Sequence, residues 1–277
     1  MAEHVGRRSR WSRPVPLLAA LVVACGPAPR AARPPDSGEP ALRVMSYNVN
    51  FGLAGDPQAV AGIRAAGADV VFLQETNTEW EWALRAGLGD LYPTLEFVDR
   101  PAAGGMGLLS RWAVVEAEVL DPPAEGWFPA WRVVLATPLG PVQFLGVHLH
   151  PQISESGSVL SGYFTTGDNR LAEIRAHLAR LDPGLPTLLL GDFNETCGGD
   201  ALEHLAELGY SSALDRFDPG RETWRWTTSV GSISFQFDHL VHDPRLEPLE
   251  VRVLEEGRSD HLPVLGVFVA ARGDGGG

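Results

Sequence analysis

Six polar side chains fall where buried strands should carry none. Asn48, Glu75, His148, Asp192, Asn194 and Asp238 each lie in, or at the end of, a run dominated by Val, Leu, Phe and Met. A charge in such a run costs several kcal/mol unless it is paired or metal-bound. One such residue is ordinarily a satisfied core group, whereas six at strand ends point to one shared site, since ligands gather outside the carboxyl ends of strands in α/β sheets. Glu75 offers the hard oxygen suited to Mg²⁺, which keeps most of its waters and takes one or two protein carboxylates. His261, in Ser259-Asp260-His261, is of the type that exchanges a proton and stabilises growing negative charge near neutral pH. Asp192 and Asn194 are two apart and share one side of an extended segment, although an Asx turn after a strand would use the same residues. The chain contains no Lys, which excludes Schiff-base chemistry and a phosphate-loop lysine.

The elements that must position these groups follow from apolar periodicity. Residues 42–49 read as a strand, and Asp56-Pro57 opens a helix whose stripe is Val60, Ile63 and Ala66, with Gly67 as its stop. Residues 69–74 form a short continuous apolar run, hence a buried strand with Glu75 at its carboxyl end. A helix is expected at 80–86 and strands at 107–110, 113–119, 131–136 and 142–149. A helix at 170–181, capped by Asp168, would bury Leu171, Ile174 and Leu178. Residues 187–190 again read as a buried strand, followed by a helix at 201–208 between Asp200 and Gly209. Strands at 234–241, 249–254 and 264–269 complete the body. No repeat or change of composition divides residues 41–271, which are read as one domain followed by a frayed tail, 272–277.

The first forty residues read as an address. Arg7, Arg8, Arg10 and Arg13 precede a short apolar run that ends in Val22-Val23-Ala24-Cys25, so residues 1–24 form a signal peptide and Cys25 a site of lipidation, as in a bacterial lipobox. Residues 25–40 would be a flexible tether to a membrane. Removing the leader takes four Arg and one Glu, and the formal net charge moves from −13 to −16. So acidic a chain is a poor passive coat for nucleic acid, but a bound divalent metal can reverse the charge of a phosphate site. Cys197 is left without a partner.

Seven segments resemble, in order, the endonuclease/exonuclease/phosphatase superfamily of metal-dependent phosphoesterases. They are Met45-Ser-Tyr-Asn48-Val, Leu73-Gln-Glu75, Gly107-Leu-Leu-Ser-Arg111, Val147-His148-Leu, Gly191-Asp192-Phe-Asn194, Phe237-Asp238-His and Ser259-Asp260-His261-Leu-Pro263. The resemblance spans nearly the whole body of the chain. It implies a four-layer α/β sandwich, in which two packed, mixed, mostly antiparallel β-sheets are flanked by helices. It also implies hydrolysis of a phosphodiester or phosphomonoester by in-line attack of water, with Mg²⁺ or Mn²⁺ as cofactor. In that pattern Glu75, with Asn48 and Asp260, belongs to the metal site. Asp192 orients or deprotonates the water, Asn194 donates to a phosphate oxygen, and Asp238 fixes the tautomer of His261. His148 contacts the scissile phosphate. His150 shares its face and is the alternative, with His148 favoured by the strand pattern.

Arg111 and Arg170 are further candidates for substrate contact, Arg111 being equally readable as a solvated strand-end charge. His239 and His242 read as alternate-face strand residues, His177 and His204 as surface, and Cys197 as a bystander. The long Ser/Gly-rich segment 151–167, with Tyr163 and Phe164, would either touch substrate or pin its own loop. Two departures weigh against specialised DNA cleavage. Ala102-Ala-Gly-Gly-Met106 lacks the supporting carboxylate of the deoxyribonuclease branch, and His148 stands where the abasic-site nucleases place a tyrosine. Nucleic acid, phospholipid (as in the sphingomyelinase branch) and sugar phosphate (as in the inositol-polyphosphate branch) remain open as substrates. A surface lipoprotein that binds without turnover is the reading from another class. No obligate protein partner is expected.

Overall fold

Alternation along the first strand already sorts the molecule into layers. The computed structural model describes residues 29–123, 126–152, 166–228 and 231–272. In β1 (Leu42–Asn48), Leu42 and Val44 face one apolar cluster while Met45 and Tyr47 face another. Helix α1 (Pro57–Ala66) follows, with Asp56 accepting from the Gln58 N–H and Gly67 ending it at a left-handed φ of 61°. Then come β2 (Val70–Gln74), α2 (Thr78–Leu88), β3 (Thr94–Val98), β4 (Met106–Ser110), β5 (Val114–Leu120), β6 (Ala130–Thr137) and β7 (Gly140–His148). The second half holds α3 (Gly167–Leu178), β8 (Thr187–Asp192), α4 (Asp200–Glu207), β9 (Ser211–Ser212), α5 (Ala213–Phe217), the hairpin β10 (Trp224–Thr228) and β11 (Gly231–Phe235), β12 (Asp238–His242), β13 (Leu246–Val253) and β14 (Val264–Ala270).

Two six-stranded sheets result, ordered β13-β14-β1-β2-β4-β3 and β5-β6-β7-β8-β12-β9, with β10-β11 separate from both. Among the described strands, only β1–β2 and β7–β8 pair in parallel. The central core, built on Val44, Phe72, Phe144, Leu190, Leu240 and Phe268, lies between the sheets. A second cluster joins the outer face of the first sheet to α1 and α2 through Tyr47, Ile63, Trp80 and Leu84. A third joins the other sheet to α3 and α4 through Val147, Ile174, Leu189 and Leu205. This is the expected four-layer sandwich.

Several local expectations change. Residues 234–241 are two strands, because Thr223 Oγ1 takes the N–H groups of Phe237 and Asp238, each at 2.9 Å, and so interrupts the ladder. Strands β3, β9 and β10 and the short α5 lacked a readable period. Helix α3 starts after Thr166 rather than at a cap by Asp168, and it buries Arg170, Glu173, Ile174 and His177. His177 is therefore an interior group, and burial lowers its pKa to about 4. Gly199, not Asp200, caps α4.

The expected tether is laid on the body from Arg30 onward. The Arg30 and Arg33 N–H groups donate to the Arg216 and Leu249 carbonyls at 2.7 and 3.0 Å, and Arg272, expected in the tail, pairs with Asp36 and Glu39. The leader with Cys25, and Tyr163 and Phe164, lie outside the described residues. No helix among the described residues is long and apolar enough to cross a membrane.

Gly191 sits next to Asp192 at φ 145°, and a Cβ there would come within 1.9 Å of the Val147 carbonyl oxygen. Gly191→Ala is expected to cost about 2 kcal/mol or more, through strain at a backbone that L-residues avoid. Urea denaturation followed by far-UV circular dichroism measures it.

Candidate active site

The same alternation that builds the core delivers its polar cap. Positions that face the other sheet run Val44, Ser46, Asn48 in β1; Phe72, Gln74 in β2; Phe144, Gly146, His148 in β7; and Leu188, Leu190, Asp192 in β8. At one end of the core each of these strands places a polar residue: Asn48, Gln74, His148 and Asp192, joined by Asp238 at the start of β12. The register sets Asn48 opposite Gln74, His148 opposite Asp192 and Asp192 opposite Asp238. All are buried.

Asp192 is the meeting point. Its Oδ1 accepts the Asn194 N–H at 2.9 Å, so the Asx turn considered for these residues is present. Its Oδ2 faces the other sheet, 3.2 Å from Asn48 Nδ2, 3.5 Å from His261 Nε2 and 3.6 Å from His148 Nε2. His261 donates or accepts through Nδ1 with Asp238 Oδ2 at 2.9 Å, while Asp238 Oδ1 is buried without a hydrogen-bond partner. His148 Nδ1 is 3.3 Å from the Ala103 carbonyl oxygen.

Asn48 Nδ2 also reaches Glu75 Oε1 at 3.0 Å, and its Oδ1 takes the Asn50 N–H at 3.1 Å. Asn48 thus presents its nitrogen to two carboxylates, Glu75 and Asp192, and joins them across the cleft. Asp260 is held by Asn50 Nδ2 at 2.9 Å and by Trp224 Nε1 at 3.0 Å.

Glu75, His148, Asp192, Asn194, Asp260 and His261 line a cleft of about 290 Å³, walled by Trp127, Phe128, Trp224 and Phe237. Its rim is strained. The non-glycine residues with positive φ among those described are Asn50, Glu75, Ala102 and Asn194, and every one lies in the cleft or on a loop beside it. Such conformations persist only where the surroundings over-determine them, and they cluster at functional sites.

Electrostatics divides the two histidines. Burial opposes a charge on His261, but Asp238 and Asp192 outweigh it and push its pKa up to about 10. The two carboxylates thus favour the imidazolium form of His261. Burial dominates at His148 and lowers its pKa, despite Asp192. The Asp192 and Glu75 carboxyls are both raised, chiefly by burial. Glu75, Asp192 and Asp260 thus share one cleft, which among the described residues holds a single cationic side chain. That excess of carboxylate, half-buried at Glu75 and Asp260 and buried at Asp192, fits a hard divalent cation on the Glu75 side. Asp192, Asp238 and His261 also offer ligand atoms within 4.8 Å of one another, but the Asp238–His261 hydrogen bond already satisfies that pair, so Glu75 is the better metal residue.

Three candidates lie elsewhere. Arg111 follows the far end of β4, since the antiparallel register sets Met106 against Gln74 but Ser110 against Val70; it pairs with Asp69 at 3.6 Å. Arg170 is buried on Glu195 at 3.0 Å and Thr166 at 2.7 Å, a structural pairing, and it does not line the cleft. His150 turns away beyond the end of β7, its N–H on Glu173 and its ring against Trp127. Of the two histidines only His148 lines the cleft. Sequence reasoning missed Asn50, Trp224, Trp127, Phe128 and Gln152. Asn50, two residues after Asn48 in a glycine-bearing turn, had a local signal; the aromatics had none.

Fold and site together define a two-sheet sandwich with a carboxylate–histidine cluster at one end of the inter-sheet core. The chain belongs to the endonuclease/exonuclease/phosphatase family, whose profile matches residues 45–261, and members of this family are metal-dependent phosphoesterases and nucleases. Solved structures share the fold. A family protein from Beutenbergia cavernae is 21% identical over 84% of this chain and 72% of its own, with a TM-score of 0.66. The human Nocturnin catalytic domain, solved with a sulfate anion, is 17% identical over 86% of this chain and all of its own, at 0.65. A truncated TDP2 from Caenorhabditis elegans is 16% identical over 83% of this chain and 98% of its own, at 0.62. No curated protein is similar in sequence.

Behind the cleft, Glu173 Oε2 accepts the His150 N–H at 2.8 Å. Burial raises its pKa to about 7, against the pull of the His150 and Trp127 N–H groups and the Arg170 charge. An acid whose folded pKa lies above its unfolded value of about 4.5 makes the fold less stable as pH rises through that interval. Glu173→Gln is expected to remove this decline, so its stability relative to the parent improves between pH 5 and 8. Urea midpoints across that range measure the trend, and an unchanged difference would contradict it.

Proposed function

We propose that this chain hydrolyses a phosphoester by attack of water, with Mg²⁺ or Mn²⁺ held on the Glu75 side of the cleft. One observation carries the reading: a buried carboxylate, Asp192, whose Oδ2 lies 3.5 Å from His261 Nε2 and 3.6 Å from His148 Nε2. A divalent cation bound at Glu75 supplies positive charge to the phosphate and to the leaving oxygen. The chain's own groups supply the rest. Asp192 has Oδ1 fixed by the Asn194 N–H, and its raised pKa makes Oδ2 the stronger base toward a water in the cleft. His261, with Nδ1–H given to Asp238, keeps Nε2–H for the charge that grows on the phosphoryl oxygens. His148 gives Nδ1–H to Ala103 and leaves Nε2 as an acceptor beside Asp192. Asn194 spends one amide hydrogen on the Leu149 carbonyl at 2.9 Å, and its second is available to a phosphate oxygen. Asn48, bonded to Glu75 and Asp192 together, keeps the two carboxylates in register.

The test is turnover by the full chain with Mg²⁺ and Mn²⁺ on plasmid DNA, RNA, sphingomyelin, inositol phosphates and bis(4-nitrophenyl) phosphate. Hydrolysis of at least one substrate is expected, abolished by EDTA, restored by metal, and reduced about 10³-fold or more in His261→Ala. Activity indifferent to metal, or a His261→Ala protein as active as the parent, sinks the reading. Steep loss of binding with salt would point to a polynucleotide, and a shallow dependence to a small phosphate ester.

We further propose that the chain is exported and held at a membrane through lipid on Cys25, as the basic, apolar and Val-Val-Ala-Cys order of its leader supports. Incorporation of radiolabelled palmitate is expected for the parent and not for Cys25→Ser; equal labelling of both would refute it.

A further inference from the structure

Two aromatic walls flank the site, and neither is needed to hold a phosphate. On one side Phe128 lies flat on His148, with ring centroids 4.1 Å apart and planes at 18°. Trp127 beside it tilts against His150 at 4.7 Å and stays 54% exposed. On the other side Trp224 stacks on Phe237 at 5.3 Å, and Phe235 stacks on Phe237 at 5.0 Å.

This second wall continues past the cleft. Strand alternation puts Trp224 and Trp226 on one face of β10, and the register pairs them with Phe235 and Ile233 of β11. The hairpin therefore carries one apolar face, and its outer residues Trp226 and Ile233 are 45% and 43% exposed. Water-facing Trp and Ile on a hairpin that joins neither sheet do nothing for the central core. They extend the cleft wall outward.

The charges select what can lie there. Among the described residues no arginine lines the cleft, and the chain has no lysine. Arg225, on the hairpin's other face, is bonded to Glu222 and Glu255, and Arg221 also pairs with Glu255. A second phosphate beside the first would meet acidic groups and, among the described residues, no free arginine. A flat uncharged ring meets the faces of Trp and Phe, the contact that aromatic pairs favour. We propose that the ester's organic group lies between these walls, so that the substrate is a phosphodiester of one negative charge bearing a planar, uncharged ring. This rests on the reading of the cleft as a phosphoesterase site.

Two diesters with the same leaving group test it: bis(4-nitrophenyl) phosphate, which carries a second ring, and methyl 4-nitrophenyl phosphate, which does not. Their intrinsic reactivities differ, but that difference cancels when the ratio of kcat/KM values is compared between proteins. In Trp127→Ala the preference for the two-ring ester should fall about tenfold, with the loss on KM rather than kcat, and Trp127→Phe should restore most of it. Trp226→Ala should lower it by a smaller factor. An unchanged ratio in both alanine variants, each with the parent's circular dichroism, overturns the proposal. So does a single-stranded oligonucleotide that inhibits more tightly than the two-ring ester with a steep salt dependence.

Thymidine 5′-(4-nitrophenyl) phosphate separates the two sources of such a ring. Faster hydrolysis than the bis-aryl ester assigns it to a nucleobase and slower hydrolysis to an aryl ester, and either order supports the proposal if it depends on Trp127. Equilibrium dialysis of bis(4-nitrophenyl) phosphate against His261→Ala, with and without Trp127→Ala, needs no turnover. Binding lost with Trp127 in a protein whose parent hydrolyses nothing keeps the aromatic subsite and removes the phosphoesterase reading.

Discussion

The carboxylate of Asp192 is the constraint on which the rest of the cleft depends. It is fully enclosed at the seam between two sheets, and a lone charge there would cost the fold several kcal/mol. Each oxygen is therefore answered: Oδ1 by the Asn194 N–H, Oδ2 by Asn48 from the opposite sheet and by the Nε2 side of His261. Answering that charge brings β1, β7, β8, β12 and the loop before β14 to one point. The open end of the sandwich core is closed by a polar cluster instead of by apolar side chains, and a cleft results.

The same cluster is electrostatically unbalanced, which suits it to chemistry. Asp238 keeps His261 charged, but Glu75, Asp192 and Asp260 outnumber that one cation, and burial holds Glu75 and Asp192 above the usual carboxylate range. Left-handed backbone at Asn50, Glu75 and Asn194 stores further cost at the rim. Stability for these features comes from elsewhere, from the three apolar clusters that clamp the sheets and helices. On the far side, Glu173 and Arg170 tie the loops that carry His150 and Trp127 to helix α3, so one wall of the cleft rests on a buried polar network of its own.

Much of this was legible in the chain. The strands that bear Asn48, His148 and Asp192, and the one that ends beside Glu75, are rich in apolar residues, and a polar residue at the end of such a run stands out because burial makes it expensive. Asp56-Pro57 and Gly67 framed α1 for reasons local to the backbone. The errors have local reasons too. Arg111 belongs to a motif that matches in sequence, yet β4 runs antiparallel to β2 and carries its last residue to the opposite end of the sheet. Residues 234–241 look like one strand, and only the hydroxyl of Thr223, distant in sequence, divides them. His177 sits at a helix position that reads as surface, and its burial follows from α3 lying on the second sheet.

By itself the sequence determined residue types and their periods: which segments bury a face, which polar groups those faces carry, and that no lysine takes part. The pairing of those groups belongs to the tertiary structure. Asp238 and His261 are 23 residues apart and Asn48 and Asp192 are 144 apart, and their contact depends on strand order, register and the packing of one sheet on the other. So does the charge of His261, which a lone imidazole would lose near neutral pH and which two buried carboxylates maintain. The aromatic walls were equally out of reach. Trp127 and Trp224 share no periodicity, and they line one cleft only because a connecting loop and a detached hairpin are set down beside the same strand ends.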